Sequence, residues 1–528
     1  MLKKTSSIIL VICLIVITAA GCSTPARVSK KPAVIKSNLP KLNMKKWKYS
    51  KENDLYYQVG IEYCEKPVNK RYEKLAVFVP ASYMKATKNS KNTYSCKLNK
   101  NAEIKGYNSS NAPIVMPIET PEYISHTAMT NSLLENYKSI LGLVANYTSQ
   151  GFIFVDAGCR GNDEGAPAGV TDLKAAVRYL RYCDDEIAGD AESIFVYGVS
   201  GGGAQSTILG ASGDSKLYEP YLKKIGAVQG VSDAVAGSMS WCPITSLNTA
   251  NAEYEWMMGL TRKWLTEKEK AISDSLAKAY AGYVNKAGFV DENGNVLTLE
   301  ESKEGIYQAG SYYDYIKSVI ERSLNNFLSD ADFSDSPAEE YIDDLNAKKK
   351  WVDYDKSTNT AKITSVSDFA KAFKNASRYP FAFDQPEYDN PLFGINGKGV
   401  HFDKILADVL TEHKSKYASA YNADFKKLDS FGYSVEKRLN MYSPLYYILK
   451  SEKGYSSSKV SKYWRIRSGI EQTNTSVTTE VNLALALNNC EGVKSVDFET
   501  IWAQGHTQAE RKGNDIDNLI NWVNKCMK

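Results

Sequence analysis

The stretch Ser193–Tyr197, "SIFVY", is a run of β-branched and aromatic residues that leads directly into "GVSGGGAQS", Gly198–Ser206. A strand, a glycine-rich turn and a helix in immediate succession constrain the fold more than any other feature of the chain. Glycine inside regular structure loses backbone freedom and packs nothing in return. Glycines crowded around one serine therefore point to a close approach of backbone. The order strand, turn, helix belongs to sheets whose strands run mostly parallel, with helices laid across both faces.

The same rhythm recurs on either side. Leu55–Cys64, Lys74–Pro80, Ala112–Ile118 and Gly151–Ala157 read as strands, and Ser132–Asn146 and Val170–Tyr182 carry apolar positions three and four apart. Past Cys242 the alternation stops. The segment 243–439 is polar, charged and tyrosine-rich, with long helical patterns at Glu267–Asn285 and Glu301–Leu328. Within it "DENGNV" (Asp291–Val296) misplaces the glycine for a calcium loop and reads as a turn. Alternation resumes with a strand at Tyr463–Arg467, a helix at Val477–Asn488, a strand at Val496–Ala503 and a closing helix at Asp515–Cys526. The expected architecture is α/β: a mostly parallel sheet built from residues 42–242 and 440–528, interrupted by a helical insertion, 243–439.

The first residues carry an address. Lys3 and Lys4 precede the apolar run Ile8–Ile17, which is too short to span a membrane comfortably. It ends in "TAAGCS", small residues before Cys22, the pattern of a bacterial lipobox. Residues 1–22 are expected to be a lipoprotein signal peptide with Cys22 as the lipid attachment site, and 23–41 a flexible tether. This places the protein on the outer face of the cell membrane. The formal net charge of +4 in 528 residues gives no case for a nucleic-acid partner. The cysteines beyond Cys13 and Cys22 are scattered and odd in number, with no C-x-x-C pair, so neither a disulfide framework nor a zinc site is expected.

Gly198–Gly202 is a G-x-S-x-G sequence between a strand and a helix, the context in which that motif presents a nucleophile. Ser200 is the candidate. A hydroxyl needs a base to take its proton, and the chain has four histidines, His126, His401, His413 and His506. Only His506, in "WAQGHTQAER", follows the last strand and precedes the final helix, where an α/β-hydrolase carries its base. The residue that orients the imidazole should lie in "SGIEQTNTS", between the preceding strand and helix. Glu471 is its sole carboxylate, and Asn474 is the alternative, able to fix the ring without supplying charge. Oxyanion donors are expected from the Gly201 N–H and from the loop after Ala112–Ile118, around Glu119 and Thr120. No metal or organic cofactor is implied by such chemistry.

Taken together, "DLKAAVRYLR" (Asp172–Arg181), "GVSGGGAQS", "GASGDSKLYEPYLKKIGA" (Gly210–Ala227), "CPITSLNTANAEYEW" (Cys242–Trp256), "WRIRSGIEQTNTS" (Trp464–Ser476) and "GHTQAER" (Gly505–Arg511) resemble the bacterial tannase-like family of α/β-hydrolases. The resemblance implies an α/β-hydrolase fold and a serine esterase that releases phenolic acids such as gallate through an acyl-enzyme. It places the nucleophile at Ser200, the base at His506 and the family's catalytic Asp at Asn474. It further implies that the insertion forms the substrate pocket, with Trp256 in it and with Asp389 of "FDQPEYDNPLFG" accepting from phenol hydroxyls. An amide at the acid position leaves open a lipoprotein binding module without turnover; a serine peptidase on the same fold is a separate alternative.

Overall fold

The computed structural model describes residues 35–89, 92–386 and 389–528. The signal segment, Cys22 and the first part of the tether lie outside the described residues. Where the tether becomes visible it is no longer loose: Lys36 bridges Gln229 and Leu39 is buried. The chain thus packs on the domain several residues earlier than its composition implies, because Leu39 and Leu42 find apolar partners.

A nine-stranded sheet forms the frame. Its strands are β1 (Lys48–Ser50), β2 (Leu55–Glu62), β3 (Lys74–Pro80), β4 (Ile114–Pro117), β5 (Ile153–Ala157), β6 (Ile194–Val199), β7 (Gly237–Trp241), β8 (Tyr463–Gly469) and β9 (Ser495–Ile501). Their spatial order is β1-β2-β3-β5-β4-β6-β7-β8-β9. The first three strands pair antiparallel, and everything from β5 to β9 runs parallel. All of those parallel strands therefore end on one edge of the sheet, where the loops that follow them meet.

Period-two burial covers both faces. On β6, Ile194 and Val196 join the core under the helix Ala168–Tyr182, while Phe195 and Tyr197 face the helices Ser139–Thr148 and Asp515–Cys526. Trp522 meets Phe195 edge-on, ring centroids 5.5 Å apart. The expected helix at Ser132–Asn146 is two, Asn131–Asn136 and Ser139–Thr148, and the expected helix at Glu301–Leu328 begins only at Ser311. Gly310, at φ +91°, ends a turn before it, in a conformation that glycine tolerates best.

The insertion is helical, with one small hairpin, Val352–Asp355 with Thr360–Ile363. Asp291–Val296 is a turn: the Asp291 carboxylate accepts from the Asn293 and Asn295 N–H groups. The insertion shares its core with the sheet domain. Leu276, Tyr280, Tyr312 and Ile316 pack in one cluster with Trp464, Ile466 and Val481. Tyr312 donates to the Asn482 carbonyl at 2.7 Å, and Asn482 donates to the Tyr280 hydroxyl at 3.0 Å. Residues 35–528 accordingly form one compact unit.

Candidate active site

The glycines of the opening motif each answer to a backbone neighbour. Ser200 adopts φ +57°, a left-handed conformation that costs a non-glycine residue about 1–3 kcal/mol. A Cβ on Gly198 would stand 2.5 Å from the Gly202 carbonyl carbon, and one on Gly202 would stand 2.0 Å from the Ile118 oxygen. Gly201 is pressed against the loop after β4, its Cβ position 2.6 Å from both Thr120 O and Tyr123 N. The strained turn is thus wedged between β6 and that loop. Ser200 stands half-buried at the first position of the helix Ser200–Ala211, whose free N–H groups favour negative charge there.

The loops at this edge are tied to one another. Ile244 N–H donates to the Ser200 carbonyl at 3.4 Å, and the Tyr123 hydroxyl donates to the Ile244 carbonyl. The Cys242 thiol, just past β7, lies 3.4 Å from the Thr507 carbonyl and 3.8 Å from that of Gly505, on either side of His506. It also accepts from the Gly469 N–H at 3.4 Å. Burial pushes this thiol up to about 11, so it stays protonated and serves as a small polar spacer. Through Cys242–Ile244 the nucleophile's turn and the histidine's loop share one support.

His506 meets neither of the residues expected to orient it. Its Nδ1 lies 2.9 Å from Oε1 of Gln472. Glu471, one residue earlier, turns its carboxylate to the Ala503 N–H at 3.0 Å and caps the loop leading to the histidine. Asn474 is exposed and points into the insertion, its side-chain carbonyl accepting from Asn375 at 3.1 Å. The turn at Gly469–Gln472, closed by a bond from Gln472 N–H to the Gly469 carbonyl, decides which side chain faces the ring. Gln472 is buried, 3 % exposed. His506 itself is open to solvent on one side, and desolvation of the rest of the ring holds it below the ordinary histidine range.

The loop after β4 supplies Gly201's neighbours, but from Thr120, Glu122 and Tyr123 rather than Glu119. Tyr123 N–H is spent on the Thr120 carbonyl at 3.0 Å. Glu122, at φ +52°, brings its backbone nitrogen to 3.1 Å from the Gly201 Cβ position. Glu119 lies at the surface, its carboxyl raised by desolvation and within electrostatic reach of His126.

Two substrate-binding expectations part ways. Trp256 is 1 % exposed and packs on Tyr280 and Tyr312, its indole N–H bonded to the Tyr307 carbonyl at 2.6 Å. It belongs to the core of the insertion and cannot touch a substrate. Asp389 is half-buried, and its electrostatic neighbours are Arg378, Asp384, Glu122 and Tyr123, which places it over the loop beside Gly201. Burial raises its carboxyl to about 7. Arg378 lies across the Phe383 ring at 3.9 Å, with a guanidinium N–H on the Asn474 carbonyl at 3.1 Å.

The other histidines are engaged elsewhere. His126 bonds Asp156 at 2.7 Å, His401 stacks on Tyr421 and reaches Asp384 at 3.2 Å, and His413 bonds Ser275 at 2.8 Å.

Comparison with known proteins bears on the fold. A family profile described as BD-FAE matches residues 109–293, the part of the chain that contains the serine turn. No curated protein matches significantly. Among solved structures, the native tannin acyl hydrolase of Lactobacillus plantarum is similar over 90 % of this chain and 94 % of its own, at 26 % identity and a TM-score of 0.69. The tannase of Fusobacterium nucleatum is similar over 92 % of this chain and 99 % of its own, at 27 % identity and a TM-score of 0.69. The chain has the α/β-hydrolase fold and resembles the bacterial tannases in structure and in sequence.

Proposed function

We propose that the protein is a lipid-anchored, cell-surface serine esterase acting on small esters of phenolic acids. The observation that carries this reading is the left-handed Ser200, held at a helix N-terminus between the Ile118–Tyr123 loop and the support shared with His506. Ser200 Oγ attacks the ester carbonyl, and His506 Nε2 takes its proton and returns it to the leaving alcohol. The N–H groups of Gly201 and Glu122 receive the oxyanion. Water then enters along the same path and frees the acid. The similar tannin acyl hydrolase has been solved with ethyl gallate and with 3,4-dihydroxybenzoate, which supports an aromatic acid in the acyl position here. Arg378 and Asp389, on the insertion, offer a cation and a carboxyl to ring hydroxyls.

A fluorophosphonate probe tests the nucleophile. Protein lacking residues 1–22 is expected to label once per chain and to be protected by methyl gallate. Absence of labelling would favour a binding module, the reading that the neutral Gln472 beside His506 supports. The base sets a second expectation. Because His506 is held below the ordinary histidine value, its proton-accepting form persists to lower pH. The acid-side fall in kcat/KM for 4-nitrophenyl acetate should have its midpoint below the ordinary histidine value of about 6.5. A midpoint above that value would mean that another group limits turnover. For the anchor, Cys22→Ser should move the protein from the membrane fraction to the soluble one; continued sedimentation with membranes would refute lipidation at Cys22.

A further inference from the structure

We infer that Glu480 is a positioning residue of the site, and that it acts on His506 through the Gln472 amide by fixing which ring nitrogen carries the proton. This rests on the esterase reading above.

Gln472 is used at both ends. Its Oε1 lies 2.9 Å from His506 Nδ1, and its Nε2 lies 2.7 Å from Glu480 Oε1 and 3.0 Å from Ser468 Oγ. The two ends of an amide have the same shape but opposite hydrogen-bonding roles. An ionised carboxylate accepts and never donates, so the end that faces Glu480 must be the NH2 group. Ser468 agrees: its hydroxyl donates to Glu480 at 3.0 Å, which leaves its lone pairs for the same NH2. The carbonyl oxygen is then the end that faces the imidazole. It can only accept, so Nδ1 must carry the hydrogen and Nε2 keeps its lone pair for the Ser200 proton. A reversed amide would present NH2 to Nδ1, force the hydrogen onto Nε2, and remove the base.

A neutral side chain cannot choose its own orientation; a carboxylate behind it can. Glu480 is suited to this task by position. It is 1 % exposed, at the third residue of the helix Thr478–Asn488, where free N–H groups favour a negative charge. The buried Lys374 ammonium, which donates to the main-chain carbonyls of Gln472 at 2.6 Å and Ile470 at 3.2 Å, adds attraction. The other titratable groups around this cluster are Cys242, which stays protonated, Glu471 and His506. Burial works against the charge and raises the Glu480 carboxyl to about 7.

The test exchanges the two side chains, using protein without residues 1–22 and 4-nitrophenyl acetate as substrate. Glu480→Gln keeps the shape but lets the partner amide face either way, so the productive fraction drops to about half or less and kcat should fall about twofold or more with KM unchanged. Adding Gln472→Glu to that variant puts the carboxylate against the ring and the amide behind it. The exchanged pair should recover wild-type kcat or exceed it, because a carboxylate in that place accepts from Nδ1 in any orientation. Nitrogen-15 NMR of the histidines gives a readout independent of turnover: neutral His506 should carry its hydrogen on Nδ1 in the wild type and lose that preference in Glu480→Gln. Unchanged kcat in Glu480→Gln, failure of the exchange to restore it, or an Nε2–H tautomer in the wild type would each overturn the inference. A wild type that neither labels nor turns over would instead sink the esterase reading, while the NMR measurement would still decide the tautomer.

Discussion

Under the esterase reading, Ser200→Ala is expected to lower kcat on 4-nitrophenyl acetate by at least about 10^3 and to leave KM within about twofold. The size follows from what remains. The Gly201 and Glu122 N–H groups still receive the carbonyl oxygen, but His506 has no hydroxyl to activate. His506→Ala is expected to cost about as much, and the double variant little more, since nucleophile and base act as one unit. Additive losses, or a Ser200→Ala variant that retains a tenth of the activity, would place the chemistry elsewhere. The loss is set below that of a full triad because the proposed wild-type site has no carboxylate on its imidazole.

Glu510→Ala destabilises the fold by about 3–5 kcal/mol, the cost of leaving a buried cation without its partner. Glu510 takes a two-pronged bond from Arg465 at 2.6 Å on each oxygen, a third from the Trp241 indole at 2.9 Å, and a fourth from Asn518 at 3.0 Å. Arg465 is 5 % exposed and lies on β8, Trp241 on β7. The carboxylate therefore pins the loop that carries His506 to both strands below it, and the Gln504 amide bonds back to the Glu510 carbonyl at 2.8 Å. Urea unfolding followed by near-ultraviolet circular dichroism measures the shift in midpoint. A change under about 1 kcal/mol would show that Asp497, 3.5 Å from Arg465, can take over the charge.

What the sequence made legible divides along physical lines. The serine turn was readable because backbone contact at Gly198, Gly201 and Gly202 excludes every other residue type, and strands such as β3 and β5 because they are buried on both faces. Strand β7 left no such trace. "GSMSW" is small and polar, since Gly210 of the neighbouring helix approaches so closely that its Cβ would stand 2.8 Å from that of Ser238. The residue against His506 left a fainter trace: Glu471 and Asn474 are the expected partners, and the turn at Gly469 presents Gln472, which lies between them in the chain. Glu480 could not be found at all by loop inspection, because it reaches the site from the helix beyond. Trp256 was misassigned because an aromatic side chain lining a pocket and one filling the core under it look alike in sequence.

One junction bears on how such an enzyme can change. Lys374, Asn375 and Arg378 of the insertion bond, in turn, the carbonyls of Ile470 and Gln472, of Thr473, and of Asn474. The Tyr254 hydroxyl joins them through the Asn375 carbonyl at 2.9 Å. The insertion, which under the proposed function shapes the substrate's surroundings, is thus also the scaffold on which the partner of His506 is hung. Insertions from two relatives are not interchangeable parts: a graft that alters residues 374–378 shifts the backbone of Gln472 along with the specificity it imports. Selection for a new ester must therefore proceed through small, compensated steps at this seam, with turnover and preference inherited together.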